Sequence, residues 1–189
     1  MDKLSIPLFP LKGVIFFPNS NLPLNIFEKK YLEMVDFSLS TNRLIGMIQK
    51  DEKKLYKVGC IGKISSFFET EDGRYIINLV GKNYFEIKKK ISSSKKFIIA
   101  KVEIKIKKNQ ILNNSLYDFD RNLLLHKYKT YIENLNIKID FNLIKQIENE
   151  ELIKFIAMSC QFSSADKQML HYYDAPEFLL KEALLCPTY

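Results

Sequence analysis

The amino-acid sequence predicts an α+β protein, with a small, partly closed β-barrel lobe followed by an α-helical lobe. Three observations carry this. All six glycines fall between Gly13 and Gly81, in a half built of short apolar runs broken by proline and glycine. After Asn114 no glycine occurs, which suits helices because glycine weakens a helix interior. Near residues 96–107, Val102, Ile104 and Ile106 alternate with Lys101, Glu103, Lys105 and Lys107, the pattern of a strand with one buried and one wet face.

The elements follow in order. Ile6-Pro7-Leu8-Phe9-Pro10-Leu11 reads as an edge strand, because each proline removes a ladder donor. Residues 22–27 form a second extended piece. From Glu28 to about Ser40, Tyr31, Met34, Val35, Ser38 and Leu39 recur at helical spacing. Strands are expected near 43–49, 57–69, 74–80, 83–91 and 96–107. Asp72-Gly73 marks a hairpin between two of them. Six or seven such strands are best arranged as a partly closed barrel, since closure removes exposed edges. The β-rich lobe is assigned to residues 1–108, a polar joint to 109–120 and the helical lobe to 121–189. In that lobe Leu124, Tyr128, Tyr131 and Leu135 share a helix face. Asn149 is placed to cap a helix with Glu150 and Glu151 in its first turn and Leu152, Phe155, Ile156 and Ser159 as its inner stripe. Ser163 with Asp166, and Asp174 with Pro176 and Glu177, read as further helix starts.

Composition narrows the function. A chain of 189 residues, 47% hydrophobic, buries a core without staples. Cys60, Cys160 and Cys186 form no CxxC pair, and His126 and His171 are the only histidines. No metal or other cofactor is expected, and reduced thiols fit a cytoplasmic protein. No run of about 18 apolar residues is present, so no membrane span is expected. The net charge is +7, and 26 of the 29 basic residues are lysine. Lysine lacks the planar fork that suits arginine to phosphates and bases. Lys, Ile, Asn, Phe and Tyr also share A/T-rich codons, so the charge is read first as genome composition and second as a nucleic-acid footprint.

Enzyme motifs are missing. Gly59 stands three residues before Gly62-Lys63, where a P-loop needs five, and Ile64 replaces its Ser or Thr. Gly59-Cys60-Ile61-Gly62 reads instead as a strand that bends or packs closely. Ser92 and Lys95 match a short SxxK pattern but sit in a polar turn-like run. Glu69, Glu71 and Asp72 are a solvated hairpin. The aromatic pairs are more telling. Neighbours on a strand point to opposite faces, so Phe16-Phe17 and Phe67-Phe68 cannot both bury their rings on one side. One ring of each pair is expected to pack against the helical half or stay exposed as part of a binding surface.

A family resemblance lies in the motifs of the first half. Ile6-Pro7-Leu8-Phe9-Pro10-Leu11, Gly13-Val14, Phe17-Pro18, Leu22-Pro23-Leu24 and Ile26-Phe27-Glu28 with Tyr31 and Met34 occur in order. Gly46-Met47, Val58-Gly59-Cys60-Ile61-Gly62-Lys63-Ile64, Asp72-Gly73-Arg74-Tyr75 and Leu79-Val80-Gly81 follow. Together they resemble the amino-terminal, substrate-binding domain of Lon proteases. The resemblance extends through Ile156-Ala157-Met158, Phe162, Lys167-Gln168 and Leu170, with Gln161 and His171-Tyr172 as departures. It implies a PUA-like β lobe, no catalytic residues, and recognition of polypeptide. The expected function is a non-enzymatic module, standing without Lon ATPase or protease domains. It would bind unfolded or apolar segments, or act as an adaptor for a protease or chaperone. An RNA-binding PUA-like module is the alternative. The peptide-binding candidates are Phe16, Phe17, Phe67 and Phe68.

Overall fold

The computed structural model describes residues 3–52, 54–105, 120–163 and 165–168. The chain divides into two compact units, Met1–Lys107 and Lys108–Tyr189. The first contains β1 (Lys3–Leu11), β2 (Asn21–Ile26), α1 (Lys29–Leu39), β3 (Leu44–Lys50), β4 (Leu55–Glu69), β5 (Tyr75–Ile91) and β6 (Ile98–Lys105). The second contains α2 (Arg121–Asn134), α3 (Phe141–Lys145) and α4 (Asn149–Ser159). The joint read from the sequence lies, but for Asp120, outside the described residues.

The six strands run in the order β2-β5-β4-β3-β1-β6, and β6 also pairs with β5. Five strands therefore make a circuit of ladders, with β2 attached outside it along the first half of β5. This is the partly closed barrel expected from the sequence. Two readings of its strands are corrected. First, β1 is not an edge: it runs parallel to β3 and antiparallel to β6. It tolerates Pro7 and Pro10 because the two ladders overlap only at Leu8. Each proline lies where β1 has one neighbour, and a one-sided ladder uses the N–H of every second residue only. Second, the strands expected at 74–80 and 83–91 are one, β5. Gly81 does not break it, because β4 pairs with β5 on both sides of that glycine.

Phe85 fills the middle of the circuit, fully buried with Ile6, Leu8, Ile48, Ile61, Ala100 and Val102. Room for its ring comes from glycines on facing strands. A Cβ on Gly46 would stand 3.0 Å from Phe85 Cζ. One on Gly59 would stand 3.1 Å from Phe85 Cε1 and 2.1 Å from the Met47 carbonyl oxygen. The close-packing reading of Gly59–Gly62 is thus met, and β4 shifts register between Cys60 and Gly62. The β4–β5 hairpin closes where Asp72-Gly73 placed it. Gly73 takes φ 78°, and Thr70 N donates to the Arg74 carbonyl at 2.9 Å. On α1, Met34, Val35 and Ser38 are buried, and the Ser38 hydroxyl donates to the Met34 carbonyl at 2.8 Å.

In the second unit, Asp120 caps α2 by accepting from Leu123 N. The buried stripe of α2 is Leu124, Tyr128 and Ile132; Tyr131 is half-buried and Leu135 exposed, one residue off the face read from the sequence. Helix α4 buries Leu152, Ile153, Ile156 and Ala157, while Phe155 keeps part of its ring in solvent. Asn149 is not the cap. That position belongs to Glu148, and the Asn149 side-chain oxygen accepts from Arg121 instead. Arg121 also donates to the carbonyls of Lys145 at 2.9 Å and Ile147 at 2.6 Å, fastening α2 to the α3–α4 turn. Ser163 caps the turn that follows it: its hydroxyl accepts from Asp166 N at 3.2 Å and donates to the Asp166 carboxylate. Asp174, Pro176 and Glu177 lie outside the described residues.

Candidate functional site

The four candidate rings separate into two groups. Phe16 and Phe17 are each 2% exposed, so neither is surface. The alternation of a strand does not apply here, because residues 14–17 are irregular. Phe16 lies over Gly62, 3.0 Å from where its Cβ would be. The next turn is held by Ser20, whose hydroxyl donates to the Phe17 carbonyl at 2.7 Å while accepting from Phe17 N at 3.2 Å. Gly81 admits this turn: a Cβ there would stand 1.9 Å from the Phe17 carbonyl oxygen.

Phe67 and Phe68 do lie on a strand, and alternation sends them to opposite faces of β4. Phe67 is opposite Ile77 and meets Tyr75 edge-on at 4.9 Å between ring centroids. Partial burial and a hydrogen bond with Asp36 of α1 hold the Tyr75 phenol above its ordinary pKa. Phe67 is thus braced, although it remains 41% exposed. Phe68 pairs with Ile76, and Ile76 pairs in turn with Asn25. Cross-strand partners share a face, so Phe68, Ile76 and Asn25 form one row across β4, β5 and β2. Phe27 stands two residues beyond Asn25, just past the end of β2. Phe68 is 63% exposed, Ile76 45% and Phe27 68%.

This apolar surface is bounded on both sides by fixed polar groups. At one end Asn78 donates to Asn21 Oδ1 at 3.0 Å and to Ser65 Oγ at 2.9 Å. At the other, Arg74 pairs with Asp72 at 2.7 Å. Hydrogen bonds from Arg74, then Thr70, lower the Asp72 pKa to about 2. Sequence reasoning missed Phe27 and Ile76. Ile76-Ile77 carried the same signal as Phe67-Phe68, two adjacent apolar residues on one strand.

No constellation for catalysis assembles among the described residues, and no group of three or more His, Cys, Asp or Glu there is placed to hold a metal ion. Ser92 is exposed, and the Lys95 ammonium lies 5.7 Å from the centre of the Phe37 ring. His126 is exposed on α2. Cys60 and Cys160 are buried, and burial pushes the Cys60 thiol far above its ordinary pKa. A thiol so held is no nucleophile. No helix among the described residues is long and apolar enough to cross a membrane.

The sequence model of the ATP-dependent protease La (LON) substrate-binding domain matches residues 5–177 of the chain. The chain belongs to the Lon substrate-binding domain family. It is 27% identical over 199 residues to the Lon protease of Buchnera aphidicola subsp. Acyrthosiphon pisum, covering 95% of this chain and 25% of that protein. It is 26% identical over 184 residues to that of Cytophaga hutchinsonii, covering 89% of this chain and 22% of the other. The chain thus spans about a quarter of the length of these Lon proteases, within their substrate-binding part. Its fold is that of a Lon N-terminal domain protein from Xanthomonas campestris, with TM-score 0.65 at 19% identity, covering 97% of this chain and 99% of that one. The N-terminal domain of a Mycobacterium avium complex Lon protease shares it with TM-score 0.61 at 15% identity, covering 96% of each. In this chain the proline-rich start is β1, and the Phe17-Pro18 turn is the segment that Gly81 accommodates.

Proposed function

We propose that this Lon-type module binds unfolded polypeptide on the outer face of β2, β5 and β4, through Phe27, Phe68 and Ile76. The observation that carries the reading is the exposed cross-strand pair Phe68 and Ile76, with the exposed Phe27 just past the end of the neighbouring β2. Exposed apolar residues scattered singly need no explanation, but a contiguous group on rigid backbone is a recognition surface. The family supplies the ligand class, a polypeptide substrate. The surroundings agree with it, since the Asn21–Asn78–Ser65 cluster offers amide and hydroxyl groups to a peptide backbone.

Binding here is weak and forgiving. Burying one phenyl ring contributes roughly 1.5–3 kcal/mol, so two phenylalanines and one isoleucine reach micromolar affinity at best once ordering costs are met. That range suits capture and release of unfolded segments, and it suits an adaptor that presents them to a protease or chaperone. The module performs no chemistry of its own. The test is fluorescence anisotropy with a labelled, permanently unfolded polypeptide such as reduced and alkylated casein. Phe68→Ser is expected to weaken binding about tenfold or more without changing the melting temperature, and raising the salt is expected to leave affinity unchanged. Equal affinity for Phe68→Ser and the parent would refute the assignment.

A further inference from the structure

Codon bias raises lysine along a whole chain, but it does not sort carboxylates. Residues 1–107 carry 20 of the 29 Lys and Arg and 11 of the 22 Asp and Glu, whereas residues 108–189 carry nine and 11. The same genome thus gives two units of opposite sign. Within the first unit the excess is local. Residues 82–105 hold eight lysines against Glu86 and Glu103, whereas residues 64–81 hold Arg74 against Glu69, Glu71 and Asp72. Strand β5 therefore runs from a hairpin with excess acid to a strongly basic ribbon with β6.

The two glutamates of that ribbon are already engaged. Lys88 reaches Glu103 at 2.6 Å and Glu86 at 3.1 Å, and Lys105 reaches Glu86 at 2.9 Å. Lys89 and Lys101 then face each other directly across the β5–β6 ladder. Both are exposed, and neither has an ion pair among the described residues. Like charges directly opposite in a ladder are destabilising, and an anion seated between them would remove that cost. Lys90 adds a third exposed ammonium at the same end. The surroundings restrict the ligand. Every large exposed apolar side chain among the described residues lies before residue 77 or after residue 122. Protein interfaces need an apolar core and are depleted in lysine, whereas a phosphate backbone asks only for positive point charges.

We propose that the β5–β6 ribbon, centred on Lys89 and Lys101, binds the phosphate backbone of nucleic acid without reading its sequence. With no exposed aromatic ring for base stacking and no arginine for base edges, single-stranded RNA and duplex DNA are held alike. The site is independent of the apolar surface, since Ile76 and Lys89 are about 40 Å apart along an extended strand.

The experiment is anisotropy of a labelled single-stranded RNA of about 20 nucleotides with the full chain at several salt concentrations, repeated with duplex DNA and with polyglutamate as competitor. With three or four phosphate contacts, the logarithm of affinity is expected to fall against the logarithm of salt with a slope of about −2 to −3. Lys89→Glu with Lys101→Glu is expected to lower affinity at least about tenfold, and the milder Lys89→Gln with Lys101→Gln about threefold or more. Lys138→Glu in the helical unit and Phe68→Ser are expected to leave it within about twofold. Should the Glu pair disturb folding, the Gln pair decides. Undiminished binding by the Gln pair, a slope near zero, or displacement of RNA by polyglutamate at equal charge would overturn the proposal; the last would make the ligand an acidic polypeptide.

Discussion

Gly81→Ala tests the packing account at its tightest point. The added Cβ would lie 1.9 Å from the Phe17 carbonyl oxygen and 2.9 Å from its carbon, so the 17–20 turn must move by more than an ångström. That turn is joined to Gly81 by two backbone hydrogen bonds, Asn19 N to Gly81 O at 3.0 Å and Gly81 N to Ser20 O at 2.9 Å. Losing both costs about 2 kcal/mol, and partial exposure of the Phe16 and Phe17 rings adds about 1–3 kcal/mol. The expected loss is therefore about 3–5 kcal/mol. Cys60 reports it locally, because its thiol is fully buried and held protonated by that burial. Pulsed alkylation, read by mass spectrometry on the peptide containing Cys60, measures how often the β lobe opens. A loss of 3 kcal/mol speeds labelling about 150-fold where opening equilibrates before the reagent reacts. Gly13→Ala is the control: Gly13 has φ +72° and nothing within 4 Å of a new Cβ, so only the backbone cost of about 1–2 kcal/mol applies. Equal labelling of Gly81→Ala and the parent would show that the turn does not depend on this contact.

Three further outcomes are expected. The purified chain turns over neither ATP nor casein, and turnover abolished by a point mutation within this chain would contradict that. Limited proteolysis nicks first within 109–120 if that polar stretch joins the lobes, whereas first cuts within 57–107 with 109–120 protected would show that the boundary lies elsewhere. Hydrogen bonds from Lys105 and then Lys88 lower the Glu86 pKa, and Lys88 likewise lowers that of Glu103. Groups with depressed pKa stabilise above their unfolded value, about 4.3 for Glu, and lose that contribution as pH falls through the folded value. Lys88→Gln is therefore expected to be less stable than the parent in neutral urea titrations and indistinguishable from it at the acid end. A constant difference at every pH would refute the assignment.

Much of the fold was legible because its elements obey local rules. The spacing of Met34, Val35 and Ser38 gave α1, and Asp72-Gly73 gave the hairpin. Three misreadings share one cause: a residue's meaning depended on a partner distant in sequence. Pro7 and Pro10 spoke for an edge until β1 proved to change neighbours at Leu8. Strands expected at 74–80 and 83–91 proved continuous through Gly81, whose missing side chain makes room for Phe17. Asn149 had the chemistry of a cap, yet Arg121, 28 residues earlier, took its oxygen. The same limit applied to the candidate surface. Strand alternation applied at Phe67-Phe68, where pairing then singled out Phe68, and it misled at Phe16-Phe17 because that segment is irregular. Phe27 and Ile76 joined the surface only once strand register placed β2 beside β5.

Site-specific photo-crosslinking tests the central claim most directly. A photoreactive phenylalanine analogue is placed at Phe68, with a second variant at Leu143, an equally exposed apolar side chain of the helical unit at 64%. With unfolded casein present, position 68 is expected to capture polypeptide and to lose capture when Phe27→Ser and Ile76→Ser are added, while position 143 captures little. Equal capture from both positions, or capture at 68 that survives loss of Phe27 and Ile76, would mean that these three side chains do not form a binding surface.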